Sequence, residues 1–221
     1  MSMQIIRNLI AAAAILVPTF SHAALVINNL AAGTQGFAAS MSGPTAEFFP
    51  GAPFDNRQVA FSFTTGAEMV TLTNLTFALN VGDPSITPIE ITLSTGSVVP
   101  GGTGLLSLGT VAPLSDTPIS QVLTLTPSST VTLNPSTEYW LHFTVPAGGG
   151  IYTLNNGNAP TLAPGWALGN SWYYEPDFGG AWTEVASGVK ARVNMNVESV
   201  PEPTTAMLGA TGLLFLLRRR R

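Results

Sequence analysis

The chain has 221 residues, a formal net charge of −4, 9% charged residues and no cysteine, with 22 Gly and 17 Pro. Lacking Cys, the fold must rest on packing and backbone pairing rather than disulfides, and thiolate metal sites and Cys nucleophiles are excluded. Between the two terminal segments described below, Arg57, Lys190 and Arg192 stand against eleven acids, which disfavours nucleic acid and anionic lipid headgroups as partners and leaves neutral sugars, cations and other proteins open.

Met1 to Ala23 reads as a secretory signal that would direct the chain to the Sec translocon. Arg7 forms a short basic region, Leu9 to Val17 an apolar stretch, and Pro18 a break before Ser21-His22-Ala23, where small residues precede a cut after Ala23. The apolar stretch is much shorter than the roughly 20 residues of a spanning helix. Residues 24–198, about 175 in number, then fit one domain.

Alternation at period two marks strands along this domain. Val59, Phe61 and Phe63 line one side of their segment, as do Leu75, Phe77 and Leu79 of theirs. Further runs are Ile89-Ile91-Leu93, Leu123-Leu125, Val131-Leu133, Tyr139-Leu141-Phe143-Val145 and Val189-Ala191-Val193-Met195-Val197. Turn chemistry separates them at Gly82-Asp83-Pro84, Pro100-Gly101-Gly102, Asn134-Pro135, Gly148-Gly149-Gly150, Asn156-Gly157-Asn158 and Gly179-Gly180. With no amphipathic helix between them, these strands predict an all-β fold, an antiparallel β-sandwich of jelly-roll type. A signal helix and a short C-terminal apolar helix would flank it.

Candidate sites are few. His142 is the one histidine left once the signal is removed, and the strand pattern predicts a partly buried or surface position for it. One His assembles neither a two-His metal site nor, without a nucleophile elbow and an orienting acid, a triad. The aromatic group Trp166, Trp172, Tyr173, Tyr174 and Trp182, with Glu175 and Asp177, offers ring faces and carboxylates of the kind that bind sugar, although packing under a long loop explains the same residues. Glu175 and Asp177 match a glycosidase pair in type only, because Pro176 and Gly179-Gly180 predict a loop there and a catalytic pair needs separate supports. Asp83 and Asp55-Asn56 leave room for one bound Ca²⁺, but neither lies in a dense ligand loop. No catalytic residue and no metal site is assigned.

The last segment is Val200-Pro201-Glu202-Pro203, an apolar run from Thr204 to Leu217, and Arg218-Arg219-Arg220-Arg221. As a helix the run would reach about 21 Å against a hydrocarbon core of about 30 Å, short for a permanent span. The arginines still make a cytoplasmic stop, and the two prolines keep the outer side extended and open to a processing enzyme. These three parts in order resemble the PEP-CTERM sorting signal. That resemblance implies recognition and processing by an exosortase, a polytopic membrane cysteine protease. It also implies a transient inner-membrane anchor and a Gram-negative, exopolysaccharide-making host that delivers the protein to its envelope, surface or extracellular matrix. Segments 199–221, 24–198 and 1–23 are thus a sorting tail, a β domain and a signal peptide.

The Phe61-Ser62-Phe63-Thr64-Thr65-Gly66 strand and turn, with the approach Leu133-Asn134-Pro135-Ser136-Thr137-Glu138-Tyr139-Trp140, resemble the domain called choice-of-anchor R, found on interchangeable anchoring signals. The resemblance implies no activity and no catalytic residues. The sequence therefore predicts an exported, non-enzymatic envelope or matrix protein, with binding of exopolysaccharide through the Trp166 to Trp182 group as the alternative.

Overall fold

Strands that alternate Val, Ile, Leu and Phe with Thr and Ser have one face to bury, and they do so by stacking in two sheets. A computed structural model of the chain describes residues 23–30, 36–42, 57–82, 87–96, 105–114, 120–146, 150–157, 160–176, 181–188 and 190–200. Both predicted terminal helices lie outside the described residues.

Among the described residues the strands are, in chain order, β1 (Ala24–Asn28), β2 (Gly36–Ser42), β3 (Arg57–Thr64), β4 (Val70–Val81), β5 (Ile89–Thr95), β6 (Leu106–Val111), β7 (Ser120–Leu125) and β8 (Val131–Leu133). They continue with β9 (Glu138–Thr144), β10 (Ile151–Gly157), β11 (Thr161–Leu162), β12 (Ala167–Pro176), β13 (Thr183–Ser187), β14 (Lys190–Ala191) and β15 (Val193–Ser199). The fold is all-β and antiparallel, with two sheets, one of them a curled half-barrel. Residues 23–198 form one compact unit.

One sheet runs β11-β1-β15-β4, with β7 and β8 along the other edge of β4. The second runs β6-β5-β9-β3-β12-β13. The pair β10-β2 extends from the end of β4 and reaches the second sheet through Ser42↔Arg57. The first and last strands are neighbours, with Ala24 opposite Val197.

The core lies between the sheets and contains the alternating residues read from the sequence: Val59, Phe61, Phe63, Leu75, Phe77, Leu79, Ile89, Ile91, Leu93, Leu141, Phe143, Val193, Met195 and Val197 are all buried. Phe143 stands at its centre. Its ring stacks on Phe61 at 5.7 Å within its own sheet and meets Phe77 of the opposite sheet edge-on at 5.1 Å, a contact that ties the layers together.

Three expectations are corrected. Asn156 and Gly157 are not a turn: they lie in β10, opposite Ala191 and Lys190, because ladder pairing there satisfies a backbone that a turn would expose. The loop expected around Glu175 and Pro176 is strand up to Pro176, which pairs with Arg57 at the very end of β12, where a missing N–H costs least. Strand β9, expected to bury one face, is buried on both from Tyr139 to Phe143.

Candidate functional site

The two segments that carried the domain resemblance meet in space, and their contacts show what they are for. Phe63 pairs with Tyr139, Ser62 with Trp140 and Phe61 with Leu141 in the β3-β9 ladder. Beyond the ladder the two chain turns interlock. Thr65 Oγ1 donates to the Asn134 carbonyl at 2.6 Å and accepts from Thr137 N–H at 2.9 Å, while Thr65 N–H donates to the Thr137 carbonyl at 3.1 Å. Ser136, held at a φ of 47°, donates its N–H to the Gly66 carbonyl at 2.7 Å. The Tyr139 hydroxyl accepts from Asn134 N–H at 2.7 Å, closing the β8-β9 turn much as a tyrosine corner closes a sandwich. These residues build a corner of the fold.

The aromatic group is divided between two faces of the second sheet. Trp166 follows the Pro164-Gly165 turn and lies parallel to Phe63 at 6.3 Å, with Gly66 beneath it, where a Cβ would come within 2.8 Å of the indole nitrogen. It belongs to the margin of the core. Tyr173 instead reaches over the outer face to meet Trp140 edge-on at 5.3 Å, and Trp182 meets His142 edge-on at 5.3 Å. The intervening β3 positions, Ala60 and Ser62, are small enough to let these rings cross. Trp172, Tyr174 and Glu175 are placed by backbone only, in the β12 ladder, and Asp177 lies outside the described residues.

Under this outer layer His142 is buried, not surface-lying. The Ser94 hydroxyl is 2.7 Å from His142 Nε2, and burial pushes the imidazole from its ordinary value of 6.5 down to about 4, so the ring is neutral at neutral pH. Trp140 beside it donates its indole N–H to the Gly96 carbonyl at 3.1 Å. Sequence reasoning missed Ser94 and Trp140. Their signal was the cross-strand register, in which β5 sets Ser94 against Trp140 and Thr92 against His142. Ser94 and His142 are each 2% exposed, so no substrate reaches them from solvent in this arrangement.

No group of three or more His, Asp or Glu gathers among the described residues. Asp55, Asn56 and Asp83, the residues with room for Ca²⁺, lie outside them. Ala23 is exposed and immediately precedes β1, and Val200 follows β15. Pro201, Glu202, Pro203 and Arg218 to Arg221 lie outside the described residues.

What the C-terminal segment means is decided by comparison: residues 199–221 match the PEP-CTERM protein-sorting motif. The chain carries a PEP-CTERM motif at its C-terminus. A PEP-CTERM motif implies an exported, surface-sorted protein processed by an exosortase. The match stops short of the β domain, and no curated protein matches the chain. A solved structure of the infectious bursal disease virus Gx strain aligns at 16% identity over 93% of this chain, with a TM-score of 0.25 that carries no argument. This chain spans about half of that viral chain, 53%.

Proposed function

We propose that this is a non-enzymatic envelope or matrix protein whose β domain is delivered by the two terminal segments and then parted from them. A signal peptidase cuts after Ala23 following Sec export. The 204–217 segment holds the chain in the inner membrane with Arg218 to Arg221 on the cytoplasmic side. An exosortase of a Gram-negative host then acts at Val200-Pro201-Glu202-Pro203. The observation that carries this reading is the match of 199–221 to the sorting motif. It is supported by the pairing of Ala24 with Val197, which places both exits of the β domain side by side on adjacent strands. The β domain itself we read as a jelly-roll-like sandwich of the choice-of-anchor R kind, a scaffold for display.

The absence of catalysis in this reading rests on burial. Ser94 and His142, a nucleophile and a base in contact, are each 2% exposed, and the Trp182 ring lies edge-on against His142. Replacing Pro201, Glu202 and Pro203 with alanine should leave a full-length, membrane-retained precursor, read by mass spectrometry of membrane and released fractions. Normal maturation of that variant would sink the processing claim.

One observation favours a second, narrower reading. Tyr173 and Trp182 remain half-exposed above a buried support, as a sugar-binding platform requires. Retention on the host's exopolysaccharide that disappears in Trp182→Ala and survives in Trp166→Ala would establish it. Equal retention of both variants would dismiss it.

A further inference from the structure

The last strand of the β domain and the sorting signal share a residue. Strand β15 runs to Ser199, and the match to the sorting motif begins at Ser199, so Val200 alone stands between the strand and Pro201. β15 is an interior strand. On one edge Asn194, Met195, Asn196 and Val197 pair with Asn28, Ile27, Leu25 and Ala24 of β1. On the other lies β4, to whose Asn74 Oδ1 the Asn196 side-chain amide donates at 2.7 Å. Val193, Met195 and Val197 are buried in the core. The chain is therefore held on both edges and on one face to within a few residues of the place where its sorting signal must be taken.

An enzyme that processes a peptide takes it as an extended segment and pairs with its main-chain N–H and C=O groups, as an added strand does. A segment already in a ladder has given those groups to its neighbours. Beyond the strand little main chain is left to give. Val200 to Pro203 are four residues, at most about 14 Å before the apolar run opens at Thr204. Two of them are prolines, which carry no N–H. Further pairing on the N-terminal side has to draw on Glu198 and Ser199, and both belong to β15.

We propose that release of the C-terminal end of β15 from β1 and β4 is the step that admits the exosortase, so that the folded domain sets the pace of its own sorting. This rests on the processing reading above and adds its regulation. A released strand end is a minor state of a folded protein, and cutting of such a state follows its population when opening and closing are fast. A domain with β15 docked holds its anchor longer. A chain whose β15 has not docked yields its tail without that delay.

The test is pulse-chase labelling of the full chain in its own host, following conversion of the anchored precursor to the mature form. The unaltered chain is compared with Val197→Ala, with an insertion of about eight Gly and Ser residues between Ser199 and Val200, and with the two changes combined. The insertion adds about 27 Å of free main chain and leaves Val200-Pro201-Glu202-Pro203 intact. Val197→Ala removes buried methyl groups near the end of β15 and should speed conversion about threefold or more by raising the open population. The insertion should speed it at least as much, and in the inserted chain Val197→Ala should change nothing further, because the strand no longer has to open. If Val197→Ala does not fold by circular dichroism, Asn196→Ala, which removes the bond to Asn74, takes its place. No gain from the insertion, no gain from the strand variant, or a gain from it that persists in the inserted chain would each overturn the proposal while leaving exosortase processing in place. Normal maturation of a chain with Pro201, Glu202 and Pro203 all replaced by alanine would instead remove the processing reading, and the proposal with it.

Discussion

Thr65 uses its hydroxyl in both directions at once, donating to the Asn134 carbonyl and accepting from Thr137 N–H, at 1% exposure. Thr65→Val keeps the shape but leaves a buried acceptor and a buried donor unpaired, so it should cost about 2–3 kcal/mol in urea unfolding. Tyr139→Phe removes one bond to Asn134 N–H and should cost about 1 kcal/mol. His142 adds a dependence on pH. Its folded value of about 4 lies below the ordinary 6.5, so between these limits the unfolded chain binds the extra proton. Stability from this residue is therefore complete above about pH 6.5, is lost as pH falls towards 4 and changes no further below that, by about 3 kcal/mol in all. Measured as unfolding free energy against pH, His142→Gln should show a shallower acid loss than the unaltered protein. Parallel curves would remove His142 from the account.

At the scale of strands, legibility followed the number of faces a strand buries and the polarity of its ends. Strands β3, β4, β5, β7, β8, β9 and β15 were visible in the sequence because their inward residues repeat at period two against one core. Strand β10 was hidden by Asn155-Asn156-Gly157, which has turn composition but sits in a ladder where Arg192 N–H donates to the Asn155 carbonyl and Asn155 Nδ2 donates to Ser120 Oγ. Strand β12 was obscured by Gly169 and by its register shift between Leu168 and Trp172. The outer aromatic layer was legible as composition only. That Trp166 faces the core margin while Tyr173 and Trp182 cover β9 depends on which strand lies next to β3, which no local pattern contains. Gly157 gives a test of the β10 assignment. The Asn29 side-chain amide lies over it and donates to the Ala191 carbonyl at 2.6 Å, so a Cβ there would meet both terminal atoms of Asn29 at 2.8 Å. Asn29 is fully buried and already engaged. Gly157→Ala should destabilise by about 1–3 kcal/mol in thermal or urea unfolding, whereas in an open turn the same change would be close to neutral.

At the scale of the molecule, sorting and folding meet within a few residues of one another and should still be separable. Strand β15 lies between β1 and β4, pairing Ala24 with Val197 and Asn28 with Asn194, and it sends Val193, Met195 and Val197 into the core. Arg192 just before it holds the Leu30 carbonyl through Nε at 2.6 Å, and Asn194 Oδ1 accepts from the Asn29 and Leu30 N–H groups. The first strand of the domain thus has its main partner in the last, and the sheet cannot close until nearly the whole domain has been delivered. Pairing between such distant segments is slow to form, because loop closure must precede the contacts that reward it. Ending the chain after Val200 removes the sorting motif but leaves every one of these bonds in place. Ending it after Arg192 strips β1 of its longer ladder, the one with β15, leaving only the short pairing with β11, and opens the core. The first truncation should unfold cooperatively at the same temperature as the unaltered protein by circular dichroism, and the second should show no cooperative transition. A destabilised first truncation would mean that the tail contributes to the fold as well as to its routing, and a folded second one would mean that β1 and β15 are dispensable to the sandwich.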